Sequence, residues 1–272
     1  MTTAAAVERL SFRDTDHTYY LDGKRVPSVT TILGNMSKVL HFWSVRVGAE
    51  AMVEYLNTLV TETDGFDSWG RITAGNIETA DTLVRTTHTK RKEKAATKGS
   101  VVHDAIQAYH EDYYSAEAPE DPAAAAAWHA FVSWWADSGL TCVSVERKIV
   151  GTTFSDKTYA GRLDLLAQDA NGLLYVCDAK TSNGIYDTHI VQNAAYAHAI
   201  EQETGQQVAG TKVLWLPEHL DKMIVVERDR TEWQDDYAII FEPLVDLHHR
   251  RKALSSWTKE IGDANKTDEV SA

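Results

Sequence analysis

The sequence predicts an α/β fold: a mixed central β-sheet flanked by helices, with an α-rich N-terminal part. Three observations lead there. Helical apolar spacing dominates the front half of the chain. Strand alternation takes over at 141–150 and continues at 158–168 and 173–178. A helix pattern at about 187–203 then stands between those strands and two more, Val208–Leu216 and Met223–Val226.

Taken in order, residues 11–33 open with a hairpin signal, Asp22-Gly23 between Tyr19-Tyr20-Leu21 and Val26. Pro27 suits a strand end or a helix entry, and Ser28–Leu33 begins a more regular element. Apolar residues at Val39, Phe42, Trp43, Val47, Ala51, Val53, Tyr55 and Leu59 predict a helix over 38–60. Residues 61–80, with Gly65, Gly70 and Gly75, read as loop and short helix, and 81–98 as a basic exposed helix or arm. A helix is expected from Gly99 to about 114. Asp121-Pro122 starts another, with Asp as cap and Pro at the first helical position, and Gly139 ends it. Asn171-Gly172 joins two strands as a two-residue turn. Gly205 closes the 187–203 helix, a last helix covers 231–258, and the tail from Gly262 is polar. The expected layout is an N-terminal hairpin and helical region (1–98) packed on a core (99–258), then a flexible tail (259–272).

The chain has 272 residues, 43% hydrophobic and 25% charged, an ordinary balance for one large domain or a domain with an added lobe. No secretory apolar segment follows Met1 and no run approaches the ~20 apolar residues of a membrane helix, so a cytoplasmic protein without membrane contact is expected. Cys142 and Cys177 lie in apolar, β-rich segments and read as buried, reduced residues. Two cysteines cannot supply a four-thiolate site, so no structural zinc or iron–sulfur cluster is expected. The net charge of -13 excludes a protein that coats nucleic acid by bulk charge. It leaves room for a local track. Arg85, Lys90, Arg91, Lys92, Lys94 and Lys98 form the most basic stretch, and the last five are candidate DNA-backbone contacts. A second group is Arg228, Arg230 and His248–Lys252.

The chemistry centres on Gly161-Arg162-Leu163-Asp164, a turn, and then Leu173–Asp178-Ala179-Lys180. Asp164 lies seven residues before Asn171 and Asp178 six after Gly172, so a hairpin sets the two carboxylates nearly opposite each other. Such neighbours repel unless a cation lies between them, and oxygen ligands suit Mg²⁺ or Mn²⁺. Lys180, two residues after Asp178, shares its strand face and can orient or help deprotonate a water or steady transition-state charge. A lone Asp-x-Lys says little. Asp22-Gly23-Lys24 is another and reads as a hairpin turn only. Two further motifs add weight: Gly99-Ser100-Val101-Val102-His103 at a helix start, and Gln192 with Tyr196 one turn apart on the later helix. His103 offers an imidazole ligand, and an amide and a phenol on one face suit a phosphate or sugar edge.

This ordered set, Gly-x-x-x-His, Gly-Arg-Leu-Asp, Asp-Ala-Lys and Gln-x-x-x-Tyr, resembles the motif series of RecB-like and Cas4-like nucleases of the PD-(D/E)XK superfamily. The opening His17-Thr18-Tyr19-Tyr20-Leu21-Asp22-Gly23, with Val26-Pro27-Ser28-Val29-Thr30, is similar to the start of many phage-encoded members. The resemblance spans roughly residues 11–220. It implies a restriction-endonuclease-like core and hydrolysis of DNA phosphodiesters, with exonuclease action on duplex ends or single strands. It implies His103, Asp164, Asp178 and the Ala179 backbone carbonyl as metal ligands, and Lys180 as the catalytic lysine. Gln192 and Tyr196 would orient substrate or active-site side chains. Glu146 matches an upstream acid, and an ion pair with Lys148 or Arg162 is an equal reading of it. Arg162 would be supporting or substrate-binding. Cas4-like proteins commonly carry four cysteines, which this chain lacks. Left open are an endonuclease, an RNA-directed nuclease, a DNA-binding scaffold without turnover, and partners such as a second copy or a recombination protein.

Overall fold

A computed structural model describes residues 3–36, 40–61, 74–111, 117–217 and 222–270. The chain divides into two compact units, Met1–Met36 with Val102–Ala272, and Ser37–Val101. The elements in order are α1 (Thr3–Glu8), β1 (Leu10–Arg13), β2 (Thr18–Leu21), β3 (Lys24–Val26), α2 (Val29–Leu33), α3 (Leu40–Thr61), α4 (Ala74–Glu111), α5 (Pro122–Asp137), β4 (Thr141–Thr152), β5 (Thr158–Gln168), β6 (Leu174–Lys180), α6 (Asp187–Thr204), β7 (Val208–Trp215), β8 (Ile224–Asp229), α7 (Arg230–Asp235) and α8 (Glu242–Val270), the last two joined by a π-helical turn, Asp236–Phe241.

The larger unit is α/β. Its main sheet has the order β4-β5-β6-β7-β8 and is mixed: β6 and β7 run parallel through the α6 crossover, and the other neighbours are antiparallel. One face packs Ile149, Tyr159, Leu163 and Val176 against α2, α6, Trp233 and Phe241. The other packs Leu165, Ala167, Cys177 and Ala179 against Val102, Ile106 and Tyr109 of α4 and Trp128 and Phe131 of α5. A three-stranded antiparallel sheet, β1-β2-β3, shares a third core with Val150 and Ala160. It is tied to β5 by Ala160 N–H donating to Pro27 O at 3.0 Å. Asp22 and Gly23 both have positive φ, 50° and 74°, as the expected two-residue turn requires.

The second unit holds α3 and the first part of α4. Gly48 lets the α4 backbone approach: a Cβ there would lie 2.7 Å from Val84 O.

Several boundaries differ from expectation, each for a local reason. The β5–β6 turn is a three-residue loop, Ala170–Gly172, in which only Gly172 has positive φ (84°). Asp169 holds it, its carboxylate accepting from Asn171 N and Leu173 N, both at 2.9 Å. Gly99 does not start a helix. It lies inside α4, which runs from Ala74 through the whole basic stretch, and a glycine inside a helix costs only about 1 kcal/mol. The expected single C-terminal helix is broken by the π-helical turn, which precedes Pro243, a residue with no N–H for the usual helical bond. Beyond it, α8 continues to Val270. Cys142 is exposed rather than buried, because β4 is an edge strand there and bulges between Cys142 and Ser144. Cys177 is buried as expected. The readings for residues 62–73 and 112–116 lie outside the described residues.

Candidate functional site

The main sheet opens between its two central strands. Pairing of β5 with β6 runs from Gln168↔Leu174 to Leu165↔Cys177 and stops there. Both strands continue: β5 stays with β4 as far as Thr158, and β6 stays with β7 as far as Lys180↔Trp215. The next residues in register are Asp164 and Asp178, so the two carboxylates stand at the mouth of this fork. It is bridged by Ala179 N–H, which donates to the Asp164 side chain at Oδ2, 2.9 Å away.

Across Asp164 the side-chain alternation of β5 also changes. Leu163 joins one core and Leu165 the other, although residues two apart in a regular strand share a face. The neighbouring strand does the same. Arg147 reaches α6 through Glu203 at 2.7 Å, while Val145 packs on the α5 side. Glu146, between them, has φ 46°, a left-handed conformation rare in a non-glycine residue within a strand. The distorted backbone brings Glu146, Asp164 and His103 of α4 together. One ligand atom from each lies within 4.8 Å of the other two. His103 Nδ1 is 3.3 Å from Asp164 Oδ2, and Glu146 Oε2 is ion-paired with Arg162 Nε at 2.7 Å. Burial raises the Glu146 carboxyl above its ordinary value, and the Asp164 charge adds to that while Arg162 opposes it.

Asp178 is fully buried. Lys180 Nζ forms an ion pair with its Oδ2, and Gln192 Nε2 donates to its Oδ1 at 3.2 Å. Burial drives the Asp178 carboxyl upward against the pull of Lys180. Burial would lower the Lys180 amine, but Asp178, Asp164 and Glu146 together hold it above its ordinary value, so it carries an ammonium charge. Gln192 Nε2 also donates to Tyr196 Oη at 3.0 Å. Tyr196 packs against Gly161, where a Cβ would lie 2.7 Å from Cε1 of the ring. The glycine of Gly-Arg-Leu-Asp thus makes room for the tyrosine of Gln-x-x-x-Tyr.

His103, Asp164, Asp178, Lys180, Gln192 and Tyr196 are therefore joined by contacts, as is Glu146, which takes up both readings of its sequence: it pairs with Arg162 and it stands beside His103 and Asp164. Asp178 is engaged by Lys180 and Gln192 rather than grouped with the other three. Ala179 is placed by its N–H. Lys90 and Arg91 are exposed on α4 within the second unit, and the side chains of Lys92, Lys94 and Lys98 lie outside the described residues. In the other basic group, Arg228 is taken up by Asp236 and Glu232 and Arg230 by Glu201. Two contributors escape the motif reading. His189 lies close enough for the Lys180 charge to act on it, and burial first, then that charge, lowers its imidazole to about 4. Phe12 of β1 sits beneath Arg162, 6.0 Å from its ring centroid.

Among the described residues no helix is long and apolar enough to cross a membrane. No protein-family profile matches the chain, and no curated protein matches it. Solved structures do match. One, described as the crystal structure of SSO0001, is 13% identical, covers 58% of this chain and 74% of its own, and has a TM-score of 0.30. A likeness of that size carries no argument about this chain.

Proposed function

We propose that the protein is a Mg²⁺- or Mn²⁺-dependent deoxyribonuclease with a restriction-endonuclease-like core, acting as an exonuclease on DNA ends. The observation that carries this reading is the fork: His103, Glu146 and Asp164 offer ligand atoms within 4.8 Å of one another, beside the buried Asp178–Lys180 pair.

The donor set fits a divalent cation. Two carboxylates and an imidazole with ligand atoms within 4.8 Å of one another offer mixed O/N donors, which suits Mn²⁺ and Mg²⁺. His103, Glu146 and Asp164 would hold it, with Asp178 adjacent. When bound, such an ion polarises the phosphodiester and makes water a stronger nucleophile. The chain's own groups do the rest. Lys180 holds a positive charge beside the carboxylates, where charge develops on the phosphoryl oxygens. Gln192 orients Asp178, and Tyr196 anchors Gln192. Ala179 N–H and His103 hold Asp164 from two sides.

The test is degradation of linear and closed circular duplex DNA by purified protein with Mg²⁺, Mn²⁺ or EDTA, beside a Lys180→Ala control. Loss of linear DNA alone, dependent on cation and Lys180, is expected. Loss of the circle as well would make it an endonuclease. Binding without cleavage would point to a scaffold, and cleavage of RNA alone would replace the substrate.

A further inference from the structure

We propose that Arg162 and Lys148 together bind one backbone phosphate of the substrate strand, immediately beside the His103–Glu146–Asp164 cluster; this rests on the nuclease reading above. Three observations lead to it. First, Lys148 and Arg162 are register partners across β4 and β5. Like charges placed directly opposite each other weaken a sheet, so the pair makes physical sense when an anion lies over both. Second, both side chains face solvent. Arg162 is 53% exposed, and Lys148 is exposed and enters none of the ion pairs found among the described residues. Third, Arg162 is held in place before any ligand arrives. Its Nε forms an ion pair with Glu146 Oε2 at 2.7 Å, and the Phe12 ring lies 6.0 Å from its guanidinium carbon. Phe12 is itself braced by Tyr19, ring centroids 4.7 Å apart.

With Nε as the nitrogen nearest Glu146, the two terminal nitrogens, which enter no hydrogen bond among the described residues, are the end of the fork that can grip a phosphate through paired N–H donors. A simple role in neutralising Glu146 would need Arg162 alone. It accounts neither for the lysine opposite nor for the aromatic backing. Because Glu146 belongs to the candidate cation cluster and is ion-paired with Arg162, a phosphate on this pair is a near neighbour of the bond to be cut. The three-stranded N-terminal sheet, through Phe12, thus becomes a positioning device for substrate.

The test measures binding of a short labelled single-stranded DNA in Ca²⁺ over a range of salt, for wild type, Lys148→Ala, Arg162→Ala, Arg162→Lys and Phe12→Leu. Each alanine variant should weaken binding about tenfold and reduce the salt slope by about 0.7, the counterion contribution of one phosphate contact on a single strand. Arg162→Lys should keep the slope and lose affinity, and Phe12→Leu should fall between. A methylphosphonate scan of the DNA should show one position where neutralisation weakens wild type and leaves the double alanine variant unmoved. If Arg162→Ala fails to fold, Lys148→Ala, at an exposed residue, carries the test. Unchanged slopes in a wild-type background that cuts DNA would overturn the phosphate pair and leave the nuclease reading intact. Lowered slopes in a protein that binds but never cuts would sustain the pair and sink the nuclease. No DNA binding by wild type would overturn the pair.

Discussion

At the scale of single residues, Asp178 and Lys180 form a pair that neither partner can leave alone. Asp178 is fully buried, with Lys180 and Gln192 as its partners. Removing one member of a buried pair strands the other charge, at about 3–5 kcal/mol, whereas replacing both is often neutral. Lys180→Met should therefore lower unfolding free energy by about 3–5 kcal/mol, and Asp178→Asn with Lys180→Met should recover most of it while remaining inactive. Denaturant titration of the three proteins checks this, and a double variant as unstable as the single would refute the pairing. Glu146 poses a backbone question. Its φ of 46° strains any residue with a Cβ. Glu146→Gly should be more stable than Glu146→Ala by about 1 kcal/mol, although both lose the carboxylate and the same activity. Equal stabilities would mean that the strand relaxes once the carboxylate is gone. The residue types of this site were legible in the sequence because Asp178 and Lys180 obey strand alternation, and Gln192 and Tyr196 obey helix spacing. Glu146 was legible only as an acid. The distortion that brings it to His103 depends on β4, β5 and α4 together, and no local pattern encodes it.

At the scale of elements, the position of the fork follows from how β5 and β6 are held. The hairpin count placed Asp164 and Asp178 nearly opposite each other; pairing ends at Leu165↔Cys177, and the three-residue loop makes those two the next residues in register, where a two-residue turn would have set Asp164 against Ala179. Asp169, through its own N–H and carboxylate, closes that loop and so sets the register. The opening of the ladder itself was not legible. It depends on β5 keeping β4, β6 keeping β7, and Tyr196 of α6 filling the space beside Gly161. Gly161→Ala would place a methyl 2.7 Å from the Tyr196 ring and 3.4 Å from Ile149 and Val29. Two of those neighbours are buried apolar side chains with little freedom to give, so overpacking should cost about 1–3 kcal/mol. Moving Tyr196 should also loosen Gln192 from Asp178, so cleavage should fall by more than the lost stability explains. Unchanged stability and activity would show that Tyr196 is not held by this contact. For α4 the error ran the other way. Gly99 read as a boundary because glycine is a poor helix former, yet the helix continues through it.

At the scale of the whole molecule, the α/β layering was legible because five strand patterns and one crossover helix allow few arrangements. The expected boundary at 98/99 lies close to the division at Val101/Val102, inside a continuous helix, while residues 1–36 go with the larger unit. Burial of ionisable groups gives the folded unit a pH dependence that can be worked out in sign. His110 is enclosed by Tyr109, Phe131 and Trp135, the last at 4.5 Å between ring centroids, and its Nε2 has no hydrogen-bond partner among the described residues. Burial lowers its imidazole to about 4 from 6.5. His198 stacks on Tyr237 at 3.7 Å, bonds Tyr159 at 3.0 Å, and is likewise lowered to about 4 by burial. In the unfolded chain both titrate near 6.5, so between 6.5 and about 4 the unfolded state binds protons that the folded state refuses. Stability contributed by the neutral rings is complete above pH 6.5 and is lost as pH falls toward 4. The melting temperature should therefore drop across that window. In His110→Phe, which keeps the aromatic packing and has no proton to bind, the drop should be shallower, with the difference between the two proteins growing steadily as pH is lowered. Parallel melting curves for wild type and His110→Phe from pH 7 to 4.5 would show that His110 is solvated in the folded state and that α4 and α5 do not enclose it.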